Sequence, residues 1–364
     1  MKVLHINTVK TAKNGITAVL FNLICGSEND ANQDLMAINP PEKSYEEKIN
    51  SAGGSIFVIE RKKTRIFNYI SSLKKLIERE KYDIVHIHGN SHTTVLELLA
   101  AKLAGCKVRI VHAHSTSCAH LTFHKLMAPL FNMLCTHGFA CSEPAGRFMF
   151  GKRKFTVINN AVDTKKFSFD SLMREKCRAE LKLNSDTVAI GHVGIINENK
   201  NQMLLVRAFA DYRKVNENAR LVLIGDGSER KNVENEITEL NLTDKVTLLG
   251  VRTDVNELLN AFDAFTLPSH YEGLPLTAVE AQTNGLPCLI SDKVTTEVDK
   301  TGNVTFLPIE DSAVWSDSFS GIKVLTDSER RARSLQAVES IKACGYDIEE
   351  ETRKLLERYE SFIK

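Results

Sequence analysis

Short apolar runs alternate with amphipathic segments along almost the whole chain. The runs that predict β-strands are 3–6, 56–59, 84–87, 108–111 and 157–158 and, after a polar break, 188–193, 221–224, 246–249, 264–267 and 287–290. Segments with helical periodicity lie between them, among them 66–80, 93–104, 203–216 and 276–284. Strand–helix alternation with short connections predicts an α/β fold built from doubly wound parallel sheets.

The chain has 364 residues, a length that favours two domains over one core. A charged segment at 163–184 separates the two series of strands, so we expect domains at 1–165 and 185–346, joined near 165–185. The last segment, 347–364, reads as one amphipathic helix that is able to pack on either domain, and the first domain is our candidate. In such sheets the chemistry lies in loops that follow the strands.

The charge is unevenly distributed. Residues 1–165 carry 22 Lys and Arg against 13 Asp and Glu, a net charge of +9, whereas residues 166–364 carry 25 against 33, a net charge of −8. A basic first half suits an anionic acceptor or a membrane surface, although uneven solvated charge without a function explains it equally well. The basic clusters at 61–63 and 152–154 are too short and too poor in aromatic residues to indicate nucleic-acid binding.

Several features favour a cytoplasmic protein, with the inner face of the membrane as a more specific location. No run approaches the roughly 20 apolar residues of a membrane span, and the N-terminus enters a strand-like run without the pattern of a signal peptide. The eight cysteines show no Cys-x-x-Cys spacing, which favours reduced thiols.

The most informative stretch is 267–291, LPSHYEGLPLTAVEAQTNGLPCLIS. A strand ends at its start, a Gly/Pro loop follows, and a helix is predicted to begin near Leu276. Glu272 lies in the loop and Glu280 on the helix, where carboxylates accept hydrogen bonds from sugar hydroxyls and a ribose diol. Two ordinary carboxylates favoured by the helix dipole would give the same spacing.

Five segments resemble, in the same order, the motifs of the family 4 retaining glycosyltransferases, which have the two-domain GT-B fold. They are 109–115 (RIVHAHS), 159–163 (NNAVD), 194–200 (GIINENK), 223–227 (LIGDG) and the Glu-x7-Glu signature of Glu272 and Glu280. The resemblance covers nearly the whole chain and is closest to the branch that builds capsular polysaccharides and exopolysaccharides. It implies two Rossmann-like domains, the first binding the acceptor and the second the nucleotide-sugar.

The resemblance also implies roles for individual residues. Glu280 would hold the ribose hydroxyls, and Lys200 would neutralise the diphosphate. Glu272 and His114 would be the catalytic residues beside the transferred sugar, with His112 as a weaker second candidate. The alternatives that stay open are a solvated surface lysine for Lys200 and a strand-end histidine satisfied by the core for His114. The other donor-side residues are Gly194, Arg252 at the base edge, Gly273, Leu274, Pro275, Leu276 and Thr277, and the acceptor-side residues are Asn14 and Gly15.

The implied function is metal-independent, retaining transfer of a sugar from a UDP- or GDP-sugar to a saccharide or polyprenyl-diphosphate-linked saccharide in surface polysaccharide biosynthesis. The sequence contains neither Asp-x-Asp nor His-Glu-x-x-His, so we expect no metal or cofactor. One position departs from the family pattern, because Ile195 stands where relatives usually have Arg beside the diphosphate. A non-catalytic nucleotide-sugar-binding subunit is therefore one alternative, and a GT-B nucleotide-sugar epimerase is the other.

Overall fold

The computed structural model describes residues 1–11, 15–26, 32–61 and 63–364. The strands of its first sheet are β1 (Lys2–Asn7), β2 (Asn32–Ala37), β3 (Ile56–Val58), β4 (Ile84–His88), β5 (Val108–Ala113), β6 (His137–Ala140) and β7 (Thr156–Val157). Those of its second sheet are β8 (Val188–Val193), β9 (Ala219–Ile224), β10 (Val246–Gly250), β11 (Ala264–Leu267), β12 (Cys288–Ser291) and β13 (Val304–Leu307). The pairings within both sheets are parallel.

Helices connect the strands and cover the sheets. They are α1 (Gly15–Cys25), α2 (Lys43–Ser51), α3 (Ile66–Glu80), α4 (Val95–Leu103), α5 (Leu121–Leu134), α6 (Glu143–Phe150), α7 (Thr164–Phe167), α8 (Ser171–Glu180), α9 (Gln202–Tyr212), α10 (Arg230–Glu239), α11 (Val255–Leu258), α12 (Leu276–Thr283), α13 (Ser312–Ser320), α14 (Asp327–Ala343) and α15 (Ile348–Ile363). Several begin at side-chain caps, as α14 does at the Thr326–Glu329 capping box. The expected α/β fold with two doubly wound parallel sheets is confirmed.

Contacts divide the chain into two units. The first comprises Met1–Ala161 and Gly345–Lys364, and the second comprises Val162–Cys344. We expected residues near 165–185 to join the two domains. In the structure they fold as α7 and α8 and belong to the second unit. Arg174 and Arg178 on α8 explain the difference, since they form ion pairs of 2.7 and 3.2 Å with the buried carboxylate of Asp263, next to β11.

The C-terminal helix α15 belongs to the first unit. The Phe362 ring stacks on His137 with 3.7 Å between centroids. Tyr359 is fully buried, and its hydroxyl forms a hydrogen bond with Nδ1 of His86. The apolar side of α15 therefore covers the face of the first sheet that carries His86.

Each sheet reverses its strand order at one place. The order is β3-β2-β1-β4-β5-β6-β7 in the first sheet and β10-β9-β8-β11-β12-β13 in the second. The reversals lie between β1 and β4 and between β8 and β11. Because loops on the two sides of a reversal turn in opposite directions, a crevice opens at the carboxyl ends of these strands.

A buried cation fixes α14 in the second unit. Arg330, on α14, is 2% exposed, and burial lowers the pKa of its guanidinium to about 9. The guanidinium donates to the carbonyl oxygens of Asn284 and Phe262 at 2.7 and 2.9 Å and to Oδ1 of Asn284 at 2.6 Å. Removal of this group would leave both buried acceptors of Asn284 without this donor, whereas the carbonyl oxygen of Phe262 would keep a hydrogen bond of 3.1 Å from Arg174.

We therefore expect Arg330→Leu to lower the free energy of unfolding of the second unit by about 2–4 kcal/mol, because unsatisfied buried acceptors are destabilising. The exposed neighbour on the same helix gives a control, since Arg333→Leu should change it by less than about 0.5 kcal/mol. The chain has one tryptophan, the fully buried Trp315 of the second unit, so its fluorescence during urea unfolding reports on this unit. Equal unfolding midpoints for the two variants would contradict the prediction.

Candidate active site

A lysine–glutamate ion pair joins two loops at the carboxyl ends of β8 and β11. Nζ of Lys200 lies 2.7 Å from Oε1 of Glu272, and both side chains are largely shielded from solvent. The two residues predicted to contact diphosphate and sugar are thus brought together at the strand reversal of the second sheet. In the ligand-free protein, each neutralises the charge of the other.

Backbone contacts hold the same two loops together. The backbone N–H of His270 donates to the carbonyl oxygen of Asn199 at 2.8 Å, and Nδ2 of Asn199 donates to the carbonyl oxygen of Tyr271 at 2.9 Å. Asn197 caps the short 3-10 turn Glu198–Lys200, because its side-chain oxygen accepts a hydrogen bond from the backbone N–H of Lys200. The position of the ion pair therefore follows from the loop backbone as well as from the charges.

Glycines bring the turn after β9 against the loop that begins at Gly194. Gly225 has φ +137°, and a Cβ at this position would lie 1.9 Å from the carbonyl oxygen of Gly194. A Cβ at Gly227 would lie 2.1 Å from the carbonyl oxygen of Ile196. Both close approaches require glycine, which accounts for the pattern of the 223–227 segment.

A buried histidine supports this loop from below. Nδ1 of His192 donates to the carbonyl oxygen of Thr266 at 2.9 Å, so that its Nε2 accepts from Nε2 of Gln202 at 3.0 Å. Burial lowers the pKa of His192 to about 4, which keeps the ring neutral. Gln202 also donates to the carbonyl oxygen of Ile195 at 3.0 Å. His192 and Gln202 were not singled out in the sequence, although they flank the 194–200 motif.

Glu280 lies on α12, where burial raises the pKa of its carboxyl group to about 7 and the charge of Lys166 acts in the opposite direction. The carboxylate therefore ionises near neutral pH. The other predicted residues of this segment form the loop and the first turn of the helix: Gly273, Leu274, Pro275, Leu276 and Thr277. A Cβ at Gly273 would meet no atom within 4 Å, which leaves its backbone open to a ligand.

Two predicted donor-side positions have other surroundings. Arg252 follows β10, at the edge of the sheet, and its guanidinium is held by Asp254 at 2.5 Å and Glu180 at 3.0 Å. This ion-pair cluster gives Arg252 a structural role, and its role at the base edge stays a prediction. Ile195 is 56% exposed, so the position that departs from the family pattern is open to solvent.

In the first unit, His114 directly follows β5, and its Nε2 lies 2.9 Å from Nδ1 of His88. Burial lowers the pKa of His114 to about 4. His112 lies on the same face of the strand, and neither of its ring nitrogens has a hydrogen-bond partner among the described residues. Asn14 lies outside the described residues, and Gly15 is the first residue of α1.

Three further histidines that the sequence reasoning missed, His5, His86 and His88, lie beside His112 and His114. The ring nitrogens form two groups, and within each group they lie within 4.8 Å of one another. The first group is His5, His86 and His88, and the second is His88, His112 and His114. The signal was present as two His-x-His pairs, 86–88 and 112–114, in runs predicted to be neighbouring strands. Side chains two residues apart on a strand share a face.

Two units, each built on a doubly wound parallel sheet, with motifs at the carboxyl ends of the strands, are the architecture of the GT-B class of glycosyltransferases. Two family models match the chain, "Glycosyltransferase Family 4" over residues 14–166 and "Glycosyl transferases group 1" over residues 173–301. EpsF of Bacillus subtilis strain 168, which carries the name of a glycosyltransferase, is 30% identical over 98% of this chain and 96% of its own. The chain belongs to the family 4 glycosyltransferases.

Other relatives share parts of the sequence or the fold. An Escherichia coli enzyme named UDP-Gal:alpha-D-GlcNAc-diphosphoundecaprenol alpha-1,3-galactosyltransferase is 34% identical over 61% of this chain and 60% of its own. The crystal structure of Anabaena HepE in complex with UDP superposes with a TM-score of 0.79 at 18% identity, covering 99% of this chain and 100% of HepE. That of WaaG, a glycosyltransferase involved in lipopolysaccharide biosynthesis, gives 0.67 at 14% identity, covering 97% and 99%.

Among the residues that the structure describes, no helix is both long enough and apolar enough to span a membrane.

The raised pKa of Glu280 predicts a stability that depends on pH. A carboxyl whose pKa is higher in the folded state than in the unfolded state stabilises the fold below the unfolded value, about 4.5, and that contribution is lost as the pH rises to about 7. Glu280→Gln should remove this loss. We expect the variant to be more stable than the wild type by about 2 kcal/mol at pH 8, after allowance for the partial exposure of the side chain, and similar to it at pH 4.

Urea unfolding followed by Trp315 fluorescence at pH 4, 6 and 8 measures the difference. Glu239→Gln, at the exposed end of α10, is the matched control and should run parallel to the wild type. A difference between Glu280→Gln and the wild type that stays constant with pH would refute the pKa argument.

Proposed function

We propose that this glycosyltransferase moves a hexosyl group from a nucleotide-sugar to a saccharide carried on a polyprenyl diphosphate, as a step of surface polysaccharide biosynthesis. The observation that carries the proposal is the ion pair of Lys200 and Glu272 at the strand reversal of the second sheet, with Glu280 on the helix α12 that follows the loop of Glu272. A cation, a carboxylate for sugar hydroxyls and a carboxylate for a ribose diol are the groups that a nucleotide-sugar needs.

The acceptor part of the proposal rests on relatives and on charge. The Escherichia coli relative is named for a diphosphoundecaprenol substrate, and so is a Campylobacter jejuni relative that is 22% identical over 55% of this chain and 52% of its own. The net charge of +9 over residues 1–165 suits a diphosphate-bearing acceptor beside an anionic membrane. The contact with the membrane is part of the proposal.

The proposed mechanism requires Lys200 to exchange partners. In the structure Lys200 pairs with Glu272; when a donor binds, the ammonium group would turn to the diphosphate and the carboxylate would accept hydrogen bonds from the sugar. The acceptor hydroxyl would attack the anomeric carbon from the side of the leaving diphosphate, whose oxygen takes the proton, so that configuration is retained. Lys200 and the free backbone N–H groups at the start of α12 would stabilise the charge that develops on the diphosphate.

Titration calorimetry with UDP-, GDP- and ADP-sugars tests the donor site. We expect one nucleotide class to bind, and Glu280→Ala to weaken that binding about 10- to 100-fold, because two hydrogen bonds from the ribose to a carboxylate are lost. Added chelator should leave the affinity unchanged, since Lys200 and backbone groups provide the positive potential. Glu239→Ala is the surface control and should bind as the wild type does. Equal affinity in wild type and Glu280→Ala would rule out the assigned role.

The exposed Ile195 allows a gain-of-function test. Ile195→Arg places a permanent cation beside the loop that carries Lys200, and the exposure of the side chain leaves room for it. We expect donor affinity or turnover to rise about 5- to 10-fold, which corresponds to about 1 kcal/mol of added stabilisation of the diphosphate. Ile195→Gln, which adds polarity without charge, is the control. If neither variant differs from the wild type in donor affinity and turnover, this loop does not face the diphosphate.

A further inference from the structure

One face of the first sheet carries a row of imidazoles in place of an apolar core. The row consists of His5 on β1, His86 and His88 on β4, and His112 and His114 on and after β5. The four members that precede His114 are fully buried. Residues that alternate with them on the same strands, such as Ile6, Ile87 and Val111, face the opposite side and belong to the apolar core.

Three hydrogen bonds link part of this row into a chain that ends at Gln33 on β2. Nε2 of His5 lies 2.8 Å from Oε1 of Gln33. Nδ1 of His5 lies 3.0 Å from Nε2 of His88. Nδ1 of His88 lies 2.9 Å from Nε2 of His114. His5 and His88 therefore each use both ring nitrogens, one toward each neighbour, whereas His114 uses only Nε2.

The direction of this chain follows from its end. Burial lowers the pKa of His5 and His114 to about 4 and that of His88 well below its ordinary value, so all three rings are neutral at pH 7 and carry one N–H each. The amide oxygen of Gln33 can only accept, and His5 must place its proton on Nε2. Its Nδ1 then accepts from Nε2–H of His88, whose Nδ1 accepts in turn from Nε2–H of His114.

We propose that Gln33, His5 and His88 are positioning residues that fix His114 as the Nε2–H tautomer and leave the lone pair of its Nδ1 to accept a hydrogen bond from a substrate hydroxyl. Nδ1 of His114 is buried and has no partner among the described residues. A buried acceptor of this kind is stabilised when a donor reaches it. The inference rests on the proposed function and on the position of His114 beside the transferred sugar that the family resemblance implies.

The same geometry argues against two other roles. A proton conduit would need a terminal group that takes up a proton, and the amide oxygen of Gln33 does not do so near neutral pH. A metal ion between facing nitrogens of His5 and His88 would require both of them to be unprotonated and would replace the observed hydrogen bond.

Nitrogen-15 NMR of the full chain labelled at histidine reads the tautomer directly. The signals of His114 are assigned by their loss in His114→Gln. We expect a protonated Nε2 and an unprotonated Nδ1 at pH 7 in the wild type, and a mixture of tautomers in Gln33→Met, which removes the terminal acceptor with little change in volume. A proton on Nδ1 in the wild type, or an unchanged spectrum in Gln33→Met, would overturn the proposal. Stoichiometric metal in the purified protein would also overturn it.

A pair of substitutions at the middle of the chain separates positioning from packing. His5→Asn keeps an acceptor near the place of Nδ1, whereas His5→Leu has a similar size and no acceptor. We expect His5→Leu to lower kcat about 10-fold with an unchanged KM for the donor, and His5→Asn to stay within about threefold of the wild type. Leu35→Met, on the same face of β2, is a volume-conserving control for this core and should keep full activity.

The outcomes of the two experiments are distinguishable. Equal losses in His5→Leu and His5→Asn would assign the row to packing alone and overturn the proposal. A wild-type protein that binds no nucleotide-sugar and transfers no sugar would instead refute the proposed function, while the NMR spectrum would still decide whether Gln33 sets the tautomer of His114.

Discussion

The reversal of strand order in each sheet is the constraint on which the chemistry of this protein depends. In the second sheet, the loops on the two sides of the reversal supply Lys200 after β8 and Glu272 after β11, and their charged groups meet at 2.7 Å. In the first sheet, the strands next to the reversal, β1 and β4, supply His5 and His88. Parallel strands direct their carboxyl ends to one edge, so residues far apart in the sequence are brought to one place without long connections.

Charge in the second unit is held in a state that a ligand can change. Lys200 and Glu272 satisfy each other, and Glu280 sits near its point of half-ionisation because burial raises the pKa of its carboxyl group to about 7. A protein selected for stability alone would replace such groups by apolar residues, since buried ion pairs add little to stability. Their retention at the strand ends is expected of a site that binds an anionic, hydroxyl-rich ligand, where the interactions missing in the free protein are completed.

The sequence predicted the fold class because strongly apolar runs such as 188–193 and 264–267 leave little ambiguity, and both are strands. It missed β2, β6 and β13, whose runs are short or begin with polar residues. The positions of the 194–200 and 267–291 motifs at strand ends followed from the alternation of elements. The pairing of Lys200 with Glu272 did not, because register and loop conformation arise only when the sheet is assembled. The expected position of the joining segment was wrong because ion pairs hold α8 in the second unit, and their partner Asp263 is distant in the sequence.

The row of histidines shows why tertiary structure adds information that a motif lacks. The sequence indicated His114 as a single functional residue at a strand end, with His112 as a weaker candidate. It did not connect His5, His86 and His88 with them. Alternation along three adjacent strands places them on one face, burial removes their charge, and the amide of Gln33 gives their hydrogen bonds one direction. Neutral imidazoles in a dry interior are poorer packing groups than leucine or valine, and both ring nitrogens of His112 lack a hydrogen-bond partner among the residues that the structure describes. Such a layer lowers stability unless it performs another task, and the task that we propose, orientation of the His114 ring toward a substrate hydroxyl, requires hydrogen bonds of one direction.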